Sequence, residues 1–267
     1  MTRLRVHRLP VLIIAAALMI AGLSSAQAAP AAVHHEETTI GTSLQGRPIT
    51  AVHRWMDGAT DRVLVLGQMH GNEKAGLDIA RRLVTAPLPA NTDLWIVATM
   101  NPDSNAAGTR VNAAGVDLNR NFAHLWVLAG EGTGTFSGPA ALSEPETRAI
   151  ADLITRVQPR MTVSYHQPLL GVDTSGAPSA RWLADALADR TGLPRKDFTC
   201  SGGCRGTLTG WHNDVTAGSA VTVELGPRAT ASELDRHCAA VLEVAAGMGA
   251  VGSPLGFPAS ERIERDE

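Results

Sequence analysis

The stretch VLVLGQMHGNE, residues 63–73, joins an apolar run to a histidine and a glutamate three positions apart. The apolar residues 63–66 predict a buried strand, and a helix is predicted to begin at Glu73. The loop and the first helical turn would then bring His70 and Glu73 together at the rim of a sheet. Such a pair is typical of catalytic zinc sites, which often combine two histidines and one glutamate and leave a fourth position for water.

A second histidine stands in a matching context. His166 directly follows residues 161–165, MTVSY, which also predict a strand. His166 could therefore complete a ligand set with His70 and Glu73. A lone histidine after a strand is more often explained by a loop or core hydrogen bond. That interpretation applies to the remaining histidines of the chain beyond its N-terminus: His34, His35, His53, His124, His212 and His237.

Strand patterns alternate with helix patterns along the chain. Strands are predicted at residues 49–55 (an edge strand), 63–66, 94–100, 161–165 and 220–225. Helices are predicted at residues 73–85, 143–157, 179–191 and 232–248. This alternation predicts an α/β fold, a single domain in which a mixed, largely parallel twisted sheet has helices on both faces.

A long stretch rich in Gly and Asn, residues 101–142, interrupts this pattern. Loops of this length within a compact domain are usually functional. Directly after it, Ser143 and Glu146 have the spacing of a capping box, which predicts that the next helix begins at Ser143.

The N-terminus has the layout of a secretory signal peptide. Three arginines within residues 3–8 precede an apolar run over residues 11–23 and small residues that end at Ala28, where cleavage is expected. The run is shorter than the about 20 residues of a membrane span, so no stable membrane insertion is expected after cleavage. An uncleaved anchor is the alternative. The expected location is secreted or in the cell envelope.

The predicted organisation is a signal peptide at 1–28, an N-terminal segment at 29–48, a catalytic domain at 49–251 and a disordered tail at 252–267. The chain has 267 residues and a formal net charge of −3. Its length suits one α/β domain with a sizeable core. Its weakly acidic charge argues against nucleic acid as a partner. The sequence does not predict an oligomeric state.

The three cysteines fall into two groups. Cys238 lies on the apolar face of the predicted C-terminal helix and is expected to be a buried thiol. Cys200 and Cys204 enclose a flexible Ser-Gly-Gly loop and are predicted to form a disulfide in an oxidising compartment. Metal ligation by these two cysteines is the weaker alternative, because no second pair follows at zinc-finger spacing.

Several further motifs follow in order along the chain. They are GTRVN (108–112), GVDLNRNF (115–122), SEPET (143–147), HQPL (166–169) and TVELG (222–226). Together with HGNE (70–73), these motifs resemble the zinc carboxypeptidase family from about residue 40 to residue 227. Within that family the resemblance is closest to the murein peptide amidase group.

The resemblance implies one Zn²⁺ ion held by His70, Glu73 and His166. Two neutral imidazoles and one carboxylate would leave the ion positively charged and able to activate water. Glu224 would be the general base, and Arg110 would stabilise the developing oxyanion. The alternatives are a structural ion pair for the glutamate and a solvated loop charge for the arginine.

The same resemblance implies that Asn119 and Arg120 hold a free carboxylate of the substrate. Asp117 would be a buried residue that orients their loop. Better-known carboxypeptidases carry a mobile tyrosine before the final glutamate, but the only tyrosine here is Tyr165. The segment GTLTGW, residues 206–211, lies in that region instead and resembles a loop of the murein amidases. Trp211 or His212 could line the pocket, and core packing is equally expected for the tryptophan.

These features predict an exported zinc metallopeptidase that cleaves an amide next to a free carboxylate. The resemblance implies the γ-D-glutamyl-diaminopimelate bond of peptidoglycan peptides, so a peptide or muropeptide is the expected partner. Arg205 is a candidate contact for the far end of diaminopimelate. Three alternatives remain: a carboxypeptidase for ordinary α-peptides, an N-acyl amino acid deacylase of the aspartoacylase or succinylglutamate desuccinylase kind, and a non-catalytic wall-binding module.

Overall fold

A computed structural model describes residues 32–198 and 204–248. The strands are β1 Val33–Thr42, β2 Pro48–Met56, β3 Asp61–Leu66, β4 Thr92–Val97, β5 Met161–His166, β6 Gly171–Asp173, β7 Arg195–Lys196 and β8 Ser219–Glu224. The helices are α1 Ala75–Leu83, α2 Pro102–Ala107, α3 Pro145–Val157, α4 Arg181–Thr191, α5 Leu208–Val215 and α6 Ala231–Met248. Short 3₁₀ helices lie at Leu118–Arg120 and Pro178–Ala180.

The described strands form one sheet in the order β1-β2-β4-β3-β5-β8-β6-β7. The four central strands β4, β3, β5 and β8 run parallel to one another. Strand β2 is antiparallel to β4, and β6 is antiparallel to β8. The sheet is therefore mixed and largely parallel, which confirms the predicted α/β architecture.

Strand β3 is apolar on both faces because both faces of the sheet are covered. Its side chains alternate in direction, so Val63 and Val65 enter the core cluster that also contains residues of α1, α4 and α6. Leu64 and Leu66 enter the opposite cluster, with residues of α3 and α5. This two-sided burial explains the continuous apolar run in the sequence.

The carboxyl ends of β3, β5 and β8 lie side by side. Leu66 pairs with Ser164, and His166 pairs with Glu224. The loop after β3 leads to His70 at the same edge. In open α/β sheets, ligands bind in the crevice outside the carboxyl ends of the strands, so a ligand site is expected at this edge.

The N-terminal part of the sheet differs from the prediction. Strand β1 was not predicted, and it pairs antiparallel with β2 along nearly its whole length. Strand β2 is therefore not the edge of the sheet. Most side chains of β1 are exposed or half-buried, so the strand carries no strong apolar pattern although it pairs with β2.

The predicted capping box is wrong. Helix α3 begins at Pro145, and the Ser143 hydroxyl donates to Glu144 Oε1 at 2.7 Å instead of capping the helix. Glu146 does not turn back towards Ser143, because its Oε1 accepts from the backbone N–H of Leu44 at 2.9 Å. Proline at the first helical position has no N–H that needs an acceptor.

Helix α5 replaces the loop predicted at residues 206–211. Thr207 caps it by accepting a hydrogen bond from the backbone N–H of Gly210. Trp211 packs in the core 5.8 Å from the Phe122 ring. His212 is fully buried, with Nε2 3.1 Å from Thr162 Oγ1. His212 is therefore a core residue and not a pocket residue.

Several predictions fall outside the described residues. These concern the signal peptide, the tail at 252–267 and Cys200, so the Cys200–Cys204 disulfide stays a prediction. Cys238 is buried and unbridged, as predicted. None of the helices in the described ranges combines the length and apolar character that crossing a bilayer requires.

Candidate metal centre

The loop after β3 holds His70 and Glu73 in a tight turn. The backbone N–H of Glu73 donates to the His70 carbonyl at 3.0 Å, and Nδ1 of His70 lies 2.8 Å from Oε1 of Glu73. Helix α1 begins only at Ala75, so Glu73 belongs to the loop and not to the first helical turn as predicted. The turn itself brings the two side chains together.

His166 joins this pair from the end of β5. Its Nδ1 lies 3.2 Å from Nδ1 of His70 and 3.1 Å from Oε2 of Glu73. All three side chains are buried, and one potential ligand atom from each lies within 4.8 Å of the others. Two imidazole nitrogens and a carboxylate oxygen converging on one point are the donor set that zinc accepts, so the residues fit this metal.

Asp117 lies behind this cluster. Its Oδ1 is 2.9 Å from Nε2 of His70, and its Oδ2 accepts from Nη2 of Arg110 at 2.7 Å. Metal-binding histidines commonly donate their second ring N–H to such a carboxylate, which fixes the ring orientation. Asp117 also accepts from the backbone N–H of Asn119 at 3.0 Å, as expected for a residue that orients the loop.

The charges of the cluster depend on one another. Burial would raise the pKa of Glu73, but the hydrogen bonds to His166 and His70 outweigh it and lower the pKa to about 2. Burial would likewise raise the pKa of Asp117, yet its contacts with His70 and Arg110 hold that pKa well below the usual range. Both carboxylates are therefore ionised near neutral pH.

Glu224 stands at the end of β8, beside His166 in the strand register. Its Oε2 accepts from the backbone N–H of Leu169 at 3.2 Å. Burial raises the pKa of Glu224 above its ordinary value, against the opposing charge of His166. Within the described ranges Glu224 forms no salt bridge, so the alternative of a structural ion pair has no support there.

Arg110 reaches the cluster from the long loop. Its Nη1 lies 3.3 Å from Nδ1 of His70 and 3.5 Å from Oε1 of Glu73, and its side chain is 37% exposed. It is therefore not a solvated loop charge. The arginine is held on one side by Asp117 and faces the candidate metal ligands on the other.

Asn119 and Arg120 are half-buried in the 3₁₀ helix that follows Asp117. Asn119 Oδ1 accepts from the backbone N–H of Leu208 at 3.1 Å, which ties this helix to the start of α5. Arg120 Nη1 donates to the Asn119 carbonyl at 2.7 Å. The structure thus places both residues on the same loop as Arg110.

Two glutamines that support the site were missed from the sequence. Gln68 Nε2 donates to the Gly71 and Glu73 carbonyls at 3.3 and 3.0 Å. Gln167 accepts from the backbone N–H of Ala75 and donates to the Gly226 carbonyl, both at 2.8 Å. The available signal was their position just beyond buried strands and within two residues of a predicted ligand.

Comparison with known proteins agrees with this geometry. The family model described as zinc carboxypeptidase matches residues 24–168, more than half of the chain. The chain belongs to the zinc carboxypeptidase family. As a zinc carboxypeptidase, it is a hydrolase that acts on peptide bonds, and its His-Glu-His cluster fits the metal of that family.

Relatives of this zinc carboxypeptidase include murein peptide amidases. Murein peptide amidase A of Escherichia coli (strain K12) is 34% identical over 174 residues, which cover 59% of this chain and 68% of that protein. Murein peptide amidase A of Vibrio campbellii (strain ATCC BAA-1116) is 31% identical over 215 residues, 75% of this chain and 83% of that protein.

Solved structures agree on the fold. The crystal structure of murein-tripeptide amidase MpaA from Escherichia coli O157 has a TM-score of 0.63 and 26% identity, covering 79% of this chain and 91% of that one. Carboxypeptidase A from Helicoverpa armigera has a TM-score of 0.68 at 19% identity, and the match covers 81% of this chain and 69% of that one. The second comparison bears on the fold alone.

Proposed function

We propose that this protein is an exported murein peptide amidase that uses one Zn²⁺ ion to hydrolyse the γ-D-glutamyl-diaminopimelate amide of peptidoglycan peptides. The observation that carries the proposal is the convergence of His70, Glu73 and His166 beside Glu224 at the carboxyl ends of three adjacent strands. The relatives named murein peptide amidase A support the choice of substrate.

The metal would be held by Nδ1 of His70, a carboxylate oxygen of Glu73 and Nδ1 of His166. When bound, zinc would polarise the scissile carbonyl and lower the pKa of a water molecule towards about 7. Asp117 keeps Nε2 of His70 engaged, so that Nδ1 is the nitrogen presented to the other ligands.

Glu224 would take a proton from the attacking water and deliver it to the departing nitrogen. The backbone N–H of Leu169 holds Oε2, which fixes the direction of the carboxylate. The raised pKa of Glu224 suits this task, because a carboxylate that is more basic than usual accepts a proton more readily.

Arg110 would donate a hydrogen bond from Nη1 to the developing oxyanion. Its contact with Asp117 orients the guanidinium before the substrate arrives, so little reorganisation is needed during the reaction. One well-placed donor of this kind typically contributes about 3–4 kcal/mol to transition-state stabilisation.

Asn119 and Arg120 would bind the carboxylate that stands beside the scissile amide. Diaminopimelate is joined to D-glutamate through its amine and keeps a free carboxylate on the same carbon. A planar guanidinium fork matches such a carboxylate with two parallel hydrogen bonds. The N-terminal sequence layout supports export, which would take the protein to its peptidoglycan substrate.

An ordinary metallocarboxypeptidase for α-peptides is the second candidate. The shared family favours it, because the same ligands and base would serve an α-peptide bond.

The test is a comparison of two substrates with the purified, zinc-loaded protein. We expect release of diaminopimelate from L-Ala-γ-D-Glu-diaminopimelate and much slower cleavage of a C-terminal α-peptide. Cleavage of the α-peptide alone would replace the proposal with the carboxypeptidase alternative. Cleavage of neither substrate by protein that binds zinc would favour a non-catalytic wall-binding module.

A further inference from the structure

Within the described residues, a single hydrogen bond holds the carboxylate of Glu224. The donor is the backbone N–H of Leu169, 3.2 Å from Oε2. Leu169 lies in the short connection between β5 and β6, residues 167–170, and is 52% exposed. Core packing of its side chain therefore does little to fix this N–H. The position of the N–H depends instead on the other contacts that the connection makes.

Lys196 in β7 makes such a contact. Its Nζ donates to the carbonyl of Leu169 at 2.8 Å. Leu169 thus accepts a hydrogen bond from the lysine at its carbonyl and donates one to Glu224 from its N–H. The lysine backbone is itself held in the sheet, because its carbonyl accepts from the backbone N–H of Thr174 at 2.7 Å and from the Thr174 hydroxyl at 3.0 Å. The side chain therefore reaches the connection from a fixed strand.

The aliphatic part of the Lys196 side chain packs across Gly171, the residue opposite Glu224 in the pairing of β6 with β8. A Cβ atom at Gly171 would lie 2.9 Å from Cδ of Lys196 and 3.1 Å from its Cγ, so a side chain there would displace the lysine. Ordering an exposed lysine costs rotamer entropy, and packing of its methylene groups offsets part of this cost. The contact with Leu169 is therefore better held than that of a free surface lysine.

Arg195, the other residue of β7, has different partners. Its Nε lies 2.6 Å from Oδ1 of Asp185, and its Nη2 lies 2.7 Å from Oδ1 of Asp189, both on helix α4. The two neighbouring cations of this strand thus bind opposite sides of their surroundings. Substitution of Arg195 disturbs the same strand without removing the contact to Leu169, which makes it a matched control for Lys196.

We propose that Lys196 is a positioning residue for the general base, because it holds Leu169 so that the Leu169 N–H keeps the carboxylate of Glu224 aimed at the attacking water. The inference rests on the proposed function, since it takes Glu224 as the base. Proton transfer requires hydrogen-bond distance, and a displacement of about 1 Å can cost about 10²-fold in rate. Lys196 acts only through Leu169 and is not itself a catalytic residue.

The test is a double-mutant cycle on the zinc-loaded protein. Lys196→Met keeps the methylene groups and removes the ammonium, so kcat should fall about tenfold with little change in KM. Lys196→Arg can still donate to the carbonyl and should restore most of the rate. In protein that carries Glu224→Gln, the change Lys196→Met should have no further effect on the residual rate. Arg195→Met should leave kcat unchanged.

Hydrogen exchange of the Leu169 amide provides a measurement that does not depend on activity. Lys196→Met should make this amide exchange at least about threefold faster, because the hydrogen bond to Glu224 then opens more often. Arg195→Met should match the parent protein.

Unchanged kcat in Lys196→Met, an equal loss of rate in the presence of Glu224→Gln, or unchanged exchange of the Leu169 amide would overturn the inference while γ-glutamyl hydrolysis itself stood. Near-normal turnover in Glu224→Gln alone would instead show that the proposed base is wrong, and the inference would fail with it. The cycle is measured with whichever substrate the protein cleaves. If it cleaves neither substrate, the exchange rate alone decides whether Lys196 holds Leu169.

Discussion

His70 and Asp117 share a buried contact in which the imidazole Nε2 lies 2.9 Å from the carboxylate Oδ1. The other oxygen of Asp117 accepts from Arg110. One buried carboxylate therefore positions both a candidate metal ligand and the candidate oxyanion donor. Its own charge is maintained by these two contacts, which hold its pKa well below the usual range.

Asp117→Asn should weaken zinc binding by about 10–100-fold, the usual effect of losing a carboxylate behind a metal-binding histidine. The amide cannot supply the negative charge that stabilises the ring N–H of His70. Competition with a chelator measures the zinc dissociation constant directly. Exposed Asp152→Asn is the control, and equal zinc affinity in the Asp117 variant would contradict this positioning role.

Glu224→Gln should keep zinc affinity and lose hydrolysis by a factor of about 10² or more, since the amide cannot accept the proton of the attacking water. Burial raises the pKa of Glu224, so its carboxylate is more basic than usual. Zinc content and turnover are measured on the same preparation. Near-normal turnover in the variant would remove Glu224 from this role.

Arg110 and Arg120 should affect different kinetic constants. Arg110→Ala removes a donor needed only in the transition state, so kcat should fall about 10²–10³-fold with little change in KM. Arg120→Ala removes a group that binds the substrate carboxylate, so KM should rise. For a substrate whose carboxylate is amidated, the variant and the parent protein should have the same KM. Identical kinetic effects of the two substitutions would be inconsistent with these assignments.

His212 should make the fold sensitive to acid. Burial lowers its pKa from 6.5 to about 4. Between these two pH values the unfolded chain binds a proton that the folded chain does not. The contribution of His212 to the free energy of unfolding is therefore complete above pH 6.5 and is lost as the pH falls towards 4. The loss from this residue is at most about 3 kcal/mol.

Urea unfolding at pH 7 and pH 4.5 checks this expectation. His212→Gln should show a smaller decrease in the free energy of unfolding between the two pH values than the parent. The exposed His35→Gln control should match the parent. A decrease of the same size in the His212 variant would show that this histidine does not contribute.

The predicted ligands could be found from the sequence because their geometry is local. His70 and Glu73 are joined by one turn, and His166 and Glu224 each end a buried parallel strand. The contact of His70 with Asp117 joins residues 47 positions apart, so no local pattern reveals it. The same limit applies to Glu146, whose side chain accepts a hydrogen bond from the backbone N–H of Leu44 instead of forming the predicted cap.

Strand β1 and helix α5 were missed for different reasons. Strand β1 is largely exposed and depends on its pairing with β2, which leaves little apolar periodicity to recognise. Helix α5 contains Gly210 and the β-branched Thr209 and Val215, which have low helix propensity. Burial of Leu208 and Trp211 in the core outweighs that preference.

The most direct test is a zinc titration of the metal-free protein with L-Ala-γ-D-Glu-diaminopimelate as substrate. The metal-free protein should be inactive because His70, Glu73 and His166 then hold no ion to activate water. Release of diaminopimelate should rise in proportion to added zinc and stop rising at one equivalent. Release at the full rate without metal, or no release at one bound equivalent, would contradict the account.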